Sequence, residues 1–157
     1  MTYAELAVTT NFSFLRGASH PQEMVATADS LGLAAIGIAD RNSFAGVVRA
    51  YQEVKRLQAA AVDGKATIKL LVGTRLVTVE GFEVLTYPVD RRAYGRLCRL
   101  LSAGNLATTK GLCHLRFEDM LAALDGQMLI APPPRPWRAN SASASPASSL
   151  AHRGVSF

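Results

Sequence analysis

Apolar and polar positions alternate with two different periods along this chain, and the switches between them mark out its elements. "YAELAVT", residues 3 to 9, sets Tyr, Glu, Ala and Thr against Ala, Leu and Val, which predicts a strand running into a Thr-Thr-Asn loop. In "GASHPQEMVATADSLG" the period lengthens: Met24, Val25, Ala28 and Leu31 recur at helical spacing, Ser19 is placed to cap, Pro21 fits the first turn, and Gly32 stops the helix. A helix is expected over residues 20 to 31. "LAAIGIAD", residues 33 to 40, is a continuous apolar run ended by an acid, the pattern of a strand covered on both faces.

Ser43 is the expected cap of a longer helix reaching about residue 61, its faces marked by Val47, Tyr51, Val54, Leu57 and Gln58, with Gly64 in the following turn. "TIKLLVG" and "TRLVTVEGFEVLTYP" predict two or three strands, with Glu80 and Gly81 as a turn. Asp90 should cap an arginine-rich helix to about Ser102. "HLRFEDMLAAL" then reads as a short helix and "GQMLIAP" as a last strand. Strands alternating with helices imply right-handed βαβ units around a parallel sheet, open or closed into a barrel. Sites in such folds gather at the carboxyl ends of the strands, here Thr9 and Thr10, Asp40 and Arg41, Thr74 and Arg75, and Pro88 to Asp90.

Composition narrows the class without naming a chemistry. With 157 residues, 49% apolar and 18% charged, the chain suits one globular domain of moderate core. It lacks a basic and apolar leader and any apolar run of about 18 residues, so a cytoplasmic protein without membrane contact is expected. Cys98 and Cys113 are too few for a disulfide framework, and the Cys113-His114 pair has no CxxC or HxxxH companion for zinc.

The net charge of +5 is partly a tail effect. Residues 1 to 125 hold fourteen Lys and Arg against all twelve acids, and Arg135, Arg138 and Arg153 supply the rest. One dense cluster stands earlier, in "DRRAYGRLCRLL", where Arg92, Arg96 and Arg99 share a helix face. A solvated face is its ordinary role; contact with DNA phosphates is the functional alternative. From residue 132 the text turns to five Pro, six Ser and five Ala with no acid, a composition that cannot bury enough apolar surface to order itself. A disordered tail over residues 132 to 157 is the expectation, either a flexible natural extension or, the favoured reading, text out of frame with the preceding 1 to 131 domain.

"YAELAVTTNFSFLRGASHP", "LGLAAIGIADRNSFAGVVRAY", "KLLVGTRLV" and "YPVDRRAYGRLCRLLSAGN" together resemble the start of error-prone C-family DNA polymerases, paralogues of the polymerase III alpha subunit. The similar region is their N-terminal polymerase and histidinol phosphatase (PHP) domain, and it runs from residue 2 to about 132. The resemblance implies an α/β fold: the first strands of a distorted, TIM-like βα barrel of seven strands, whose carboxyl-end cleft holds divalent metals in many relatives. The family's His-x-His-x-x-Tyr-Ser motif falls on Ala7, Val8, Thr9, Thr10, Asn11, Phe12 and Ser13, so two imidazoles are replaced by groups that bind metal poorly or not at all. Its Thr-Asp-His motif reads Ala39, Asp40, Arg41, and a later glutamate is replaced by Arg75. Asp40 is the one retained ligand candidate. Either Arg41 or Arg75 is expected to pair with it where a cation would otherwise sit.

No catalytic residue and no cofactor are therefore expected in this chain. By the resemblance, the parent polymerase would use two Mg²⁺ ions on carboxylates far downstream, with the remaining polymerase domains and DNA as partners, in replication, translesion synthesis and repair. Three functions compete: a structural module of that polymerase, a metal-dependent phosphoesterase or 3′–5′ exonuclease, and a DNA- or polymerase-binding module using Arg92, Arg96 and Arg99. His20 is expected as a cap-region residue, Phe12 and Phe14 as packed loop anchors, Asn11 and Asn42 as backbone caps, and Lys55, Arg56 and Lys69 as solvated. About 130 residues cannot close a barrel that needs more than 200. The resulting expectation is that the isolated chain is marginal, aggregates, or is the truncated product of a disrupted gene.

Overall fold

A computed structural model describes residues 3–61 and 68–132. The expected tail lies outside the described residues from position 133 onward, as does Gly64. Five strands, β1 (Ala4–Val8), β2 (Ala35–Arg41), β3 (Lys69–Val77), β4 (Glu83–Pro88) and β5 (Gln127–Ile130), form one sheet in sequence order. Helix α1 (Pro21–Ser30) links β1 to β2 and α2 (Val47–Ala60) links β2 to β3, so the first three strands are parallel. Helices α3 (Arg91–Leu106) and α4 (Phe117–Ala122) separate β4 from β5.

The all-parallel rhythm read from the sequence breaks at β4, which runs antiparallel to β3 and to β5. Its connection is the cause: only residues 78–82 join β3 to β4, with Gly81 at φ +89° in the turn, whereas a parallel crossover needs a dozen residues or more. The two strand segments before that turn are a single strand, since β3 runs unbroken through Thr74.

Side chains alternate between the two faces of the sheet. The outer face carries the helices. Val8, Ile36 and Ile38 pack with Val25 and Ala28 of α1 and Ala50 and Val54 of α2; Leu76 and Val84 pack with Leu97, Leu100 and Leu101 of α3 and Met120 of α4. On the inner face the Tyr87 ring lies across Gly73 and its hydroxyl reaches past Gly37 to donate to the Leu6 carbonyl. In a flat sheet β4 and β1 would stand three strand spacings apart, about 14 Å, beyond the reach of one tyrosine. The sheet is therefore curled, as the opening strands of a barrel are.

Helix starts differ from expectation at two places. Ser19 does not cap α1: its carbonyl accepts from the Asn11 amide, and His20 takes the cap position with its backbone N–H donating to Glu23. Ser43 does not begin α2 either. Its hydroxyl accepts from Ala45 N–H in a local turn, and the helix starts four residues on, behind Gly46. Asp90 caps α3 as expected, accepting from Ala93 N–H at 2.7 Å.

Candidate functional site

The carboxyl ends of β1, β2 and β3 lie side by side, and Arg41 and Arg75 are direct partners in the β2–β3 register, as are Asp40 and Thr74. Because neighbours along a strand face opposite ways, Asp40 and Arg41 part company. Asp40 turns to the helix-covered face and is fully buried. Its Oδ1 accepts from Thr10 N–H at 2.8 Å and from the Ser13 hydroxyl at 2.7 Å, and the Thr10 hydroxyl lies 2.8 Å from Oδ2. A methyl carbon placed on Gly46, the residue before α2, would stand 2.5 Å from Oδ2, so the carboxylate also meets the positive end of that helix. Asp40 thus fastens the loop after β1 to the end of β2 and the start of α2. The Ser13 hydroxyl extends the same network by accepting from Arg41 N–H at 3.0 Å.

The expected ion pair with Asp40 is not made by Arg75, which pairs with Glu83 across the β3–β4 hairpin while both side chains are largely buried. The other ion pairs described join Arg56 to Glu53, Arg96 to Asp125 and Arg116 to Glu118. Asp40 belongs to none of them, because hydroxyl and amide donors already meet its charge. Arg41 lines a rim cavity together with Cys113. Burial pushes the Cys113 thiol above its ordinary range while the Arg41 charge pulls it back.

Ala7, Arg41 and Arg75 fall on the inner face by strand alternation, and Thr9 follows the end of β1. These are the positions where the resemblance would place metal ligands. Ala7 offers no donor atom, Thr9 a hydroxyl, and Arg41 and Arg75 are cations. Both oxygens of Asp40 are held by Thr10 and Ser13 on the other face. Among the described residues no three His, Cys, Asp or Glu side chains converge. The residues present do not fit a divalent metal cluster.

Of the arginine face on α3, Arg92 and Arg99 are exposed, but Arg96 is engaged: it donates to the Asp125 carbonyl at 2.6 Å and pairs with its carboxylate at 3.0 Å. Arg96 pins the turn before β5. His20 bonds the Asn11 amide at 2.9 Å, and Asn42, in a left-handed conformation, exchanges side-chain hydrogen bonds with both backbone groups of Val77. Phe14 is not a packed anchor; it is 82% exposed. Phe12 is partly covered by the Arg49 guanidinium, 5.8 Å from its ring centroid.

Sequence reasoning missed Tyr87, whose hydroxyl burial holds up to a pKa of about 12, against the nearby Arg75 charge. Its signal was the pairing of an inner-face tyrosine with Gly37 and Gly73. Thr10 and Ser13 were likewise missed as partners of Asp40.

Chains of high identity are polymerases far longer than this one. The error-prone DNA polymerase of Rhodopseudomonas palustris strain BisB5 is 54% identical over 90% of this chain, that of strain HaA2 60% over 76%, and that of Caulobacter vibrioides 52% over 85%. This chain spans only 10 to 12% of their lengths. Among solved structures, a protein assigned as a metal-dependent phosphoesterase from Bifidobacterium adolescentis matches at 22% identity and TM-score 0.52, covering 68% of this chain and 34% of that one. An amidohydrolase from Chromobacterium violaceum matches at 18% and 0.51 over the same shares. Those two likenesses concern the fold. The PHP domain model matches residues 5–132, from the second residue of β1 to the end of the described structure, and the chain belongs to that family.

Proposed function

We propose that this chain is the PHP module of an error-prone DNA polymerase and that it acts there as a structural element, packing with the remaining polymerase domains rather than hydrolysing phosphoesters. The observation that carries this reading is the use of Asp40. The one carboxylate kept from the metal-binding motifs is buried among Thr10, Ser13 and the start of α2, where it fastens the loop after β1 to the end of β2 and the start of α2. The names and identities of the polymerase relatives support the parent assignment. In that parent, the module would serve replication, translesion synthesis and repair in the cytoplasm. Nucleotide transfer would fall to Mg²⁺-binding carboxylates outside this chain.

A graft tests it. Residues 1–132 replace the matching segment of a relative's polymerase, and primer extension and Mn²⁺-dependent phosphodiester hydrolysis are both measured. The expected chimera extends primers and shows no hydrolysis from the grafted part. Loss of extension by a soluble, folded chimera would contradict the structural role. Hydrolysis by residues 1–157 that disappears in Asp40→Ala would contradict the inactive cleft.

A further inference from the structure

Phe14 and Leu15 are 82% and 89% exposed at the apex of the loop after β1, and the bonds of the loop keep them there. Ser13 is tied to Asp40 at 2.7 Å, and Arg16 and Gly17 donate back to the Ser13 carbonyl, closing a tight turn. A methyl carbon on Gly17 would collide with the Thr10 carbonyl, so the two arms of the loop meet only because no side chain stands between them. Leu15 sits in the turn at φ +59°, a conformation a branched residue adopts at a cost. A fixed turn that holds two large apolar side chains in water has the form of a binding surface.

The apolar surface continues inward. A cavity of about 650 Å³ beside the apex is lined in part by Phe12, Phe14, Val79, Leu112 and Cys113, a space that can seat the apolar side chains of a partner. Cations flank it. Arg16 follows the apex, and the Arg49 guanidinium lies 5.8 Å from the Phe12 ring centroid. Both arginines are exposed, and among the described residues neither has a carboxylate partner. Residues 9–19 and 43–52, which carry Phe12, Phe14, Leu15 and both arginines, contain no Asp or Glu. An apolar centre edged by arginine is the composition of protein interfaces, and the two unmatched guanidiniums set the sign of the partner. Leu15, Val79 and Leu112 offer no ring on which a base could stack, which favours a protein over a nucleic acid.

We infer that this rim docks an acidic amphipathic segment of another protein, with its apolar side chains seated on Phe14 and Leu15 and in the adjoining cavity, and its carboxylates meeting Arg16 and Arg49. The inference goes beyond the structural-module reading and does not depend on it.

Fluorescence anisotropy with the full 157-residue chain tests it, using a labelled amphipathic peptide of Glu, Leu and Phe as the probe. A scrambled peptide of the same composition, polyglutamate and an oligothymidylate are the comparisons. The amphipathic peptide should bind about tenfold more tightly than any of the three, and about tenfold more weakly to Phe14→Ala. Leu15→Asn, which suits the left-handed turn but removes the apolar side chain, should weaken binding without lowering the urea midpoint. Arg16→Ala and Arg49→Ala should reduce both affinity and its dependence on salt, with Arg92→Ala and Arg99→Ala unchanged. In Phe14→Trp carrying Trp137→Phe, the peptide should shift the indole emission to the blue, a signal that a misfolded variant cannot give. The proposal is overturned if the peptide does not bind, if the scrambled peptide or polyglutamate binds as well, or if the oligothymidylate binds more tightly. It is also overturned if substitutions at Phe14 and Leu15 leave binding unaffected, or if the loss follows Arg92 and Arg99. A polymerase carrying the grafted residues 1–132 should still bind the peptide; if it extends primers but no longer binds, the remaining polymerase covers this rim and the proposal fails while the structural-module reading stands.

Discussion

The Tyr87 hydroxyl donates to the Leu6 carbonyl, joining the fourth strand of the sheet to the first across the inner face. The carbonyl is available because the β1–β2 register shifts between Glu5 and Val8, which breaks the ladder at Leu6. One side chain therefore closes the curl that neighbouring strands only begin. Burial of that hydroxyl makes the closure sensitive to alkali. The neutral phenol is favoured in the folded state, with a pKa of about 12 against 10 when free. Its contribution is complete below pH 10 and lost as pH rises toward about 12, a loss on the order of 2 to 3 kcal/mol. Tyr87→Phe should cost about 1 kcal/mol near neutrality and flatten this alkaline decline. Tyr3 and Tyr94 are also raised, so urea unfolding of both proteins from pH 8 to 12 isolates the Tyr87 share. Parallel declines in the two proteins would refute it.

Gly73 lies under the Tyr87 ring, and a methyl carbon there would stand 2.8 Å from Cζ. Gly73→Ala should destabilise by about 1 to 3 kcal/mol through overpacking. The effect belongs to the pair, so in a Tyr87→Ala background the same substitution should be close to neutral, which a double-mutant cycle in urea measures. An additive cycle would place the cost in the β3 backbone instead.

Asp40→Asn keeps the shape of the side chain but turns one acceptor into a donor facing Thr10 and Ser13. A cost of about 2 to 4 kcal/mol is expected, because their hydroxyls and the Thr10 N–H lose a charged partner in a buried site. Mn²⁺ or a chelator should leave the unfolding midpoint of the parent chain unchanged. A metal bound by the native state alone would raise it by mass action, so a midpoint that climbs with Mn²⁺ would show a site these residues do not suggest.

Much of the fold was legible because period and punctuation agree. The uninterrupted run into Asp40 gave β2, Asp90 gave the start of α3, and Glu80-Gly81 gave the hairpin. The direction of β4 follows from the shortness of that turn, which alone forbids a parallel crossover. The site was harder to read, because proximity in sequence conceals opposed faces. Asp40 and Arg41 are neighbours whose side chains diverge, so a carboxylate beside a guanidinium did not become an ion pair. Arg75 found Glu83, eight residues on, through the hairpin. Ser19 and Ser43 look equally suited to capping, and each uses a backbone partner that local patterning does not reveal.

The last strand carries the clearest consequence for the isolated chain. Among the described residues β5 is at one edge of the sheet, with Met128, Leu129 and Ile130 65%, 46% and 38% exposed. An edge with unpaired backbone groups and apolar side chains invites pairing with another chain. Self-association of the 157-residue protein at micromolar concentration is therefore expected through β5. Met128 is the register partner of Tyr87 and lies on the same inner face. A lysine there would keep its charge in water and oppose a second strand without disturbing the outer helices. Met128→Lys should shift sedimentation toward the monomer while leaving the urea midpoint within about 0.5 kcal/mol of the parent. If Phe14→Lys dissolved the assemblies and Met128→Lys did not, the rim of the cavity rather than the sheet edge would be the associating surface.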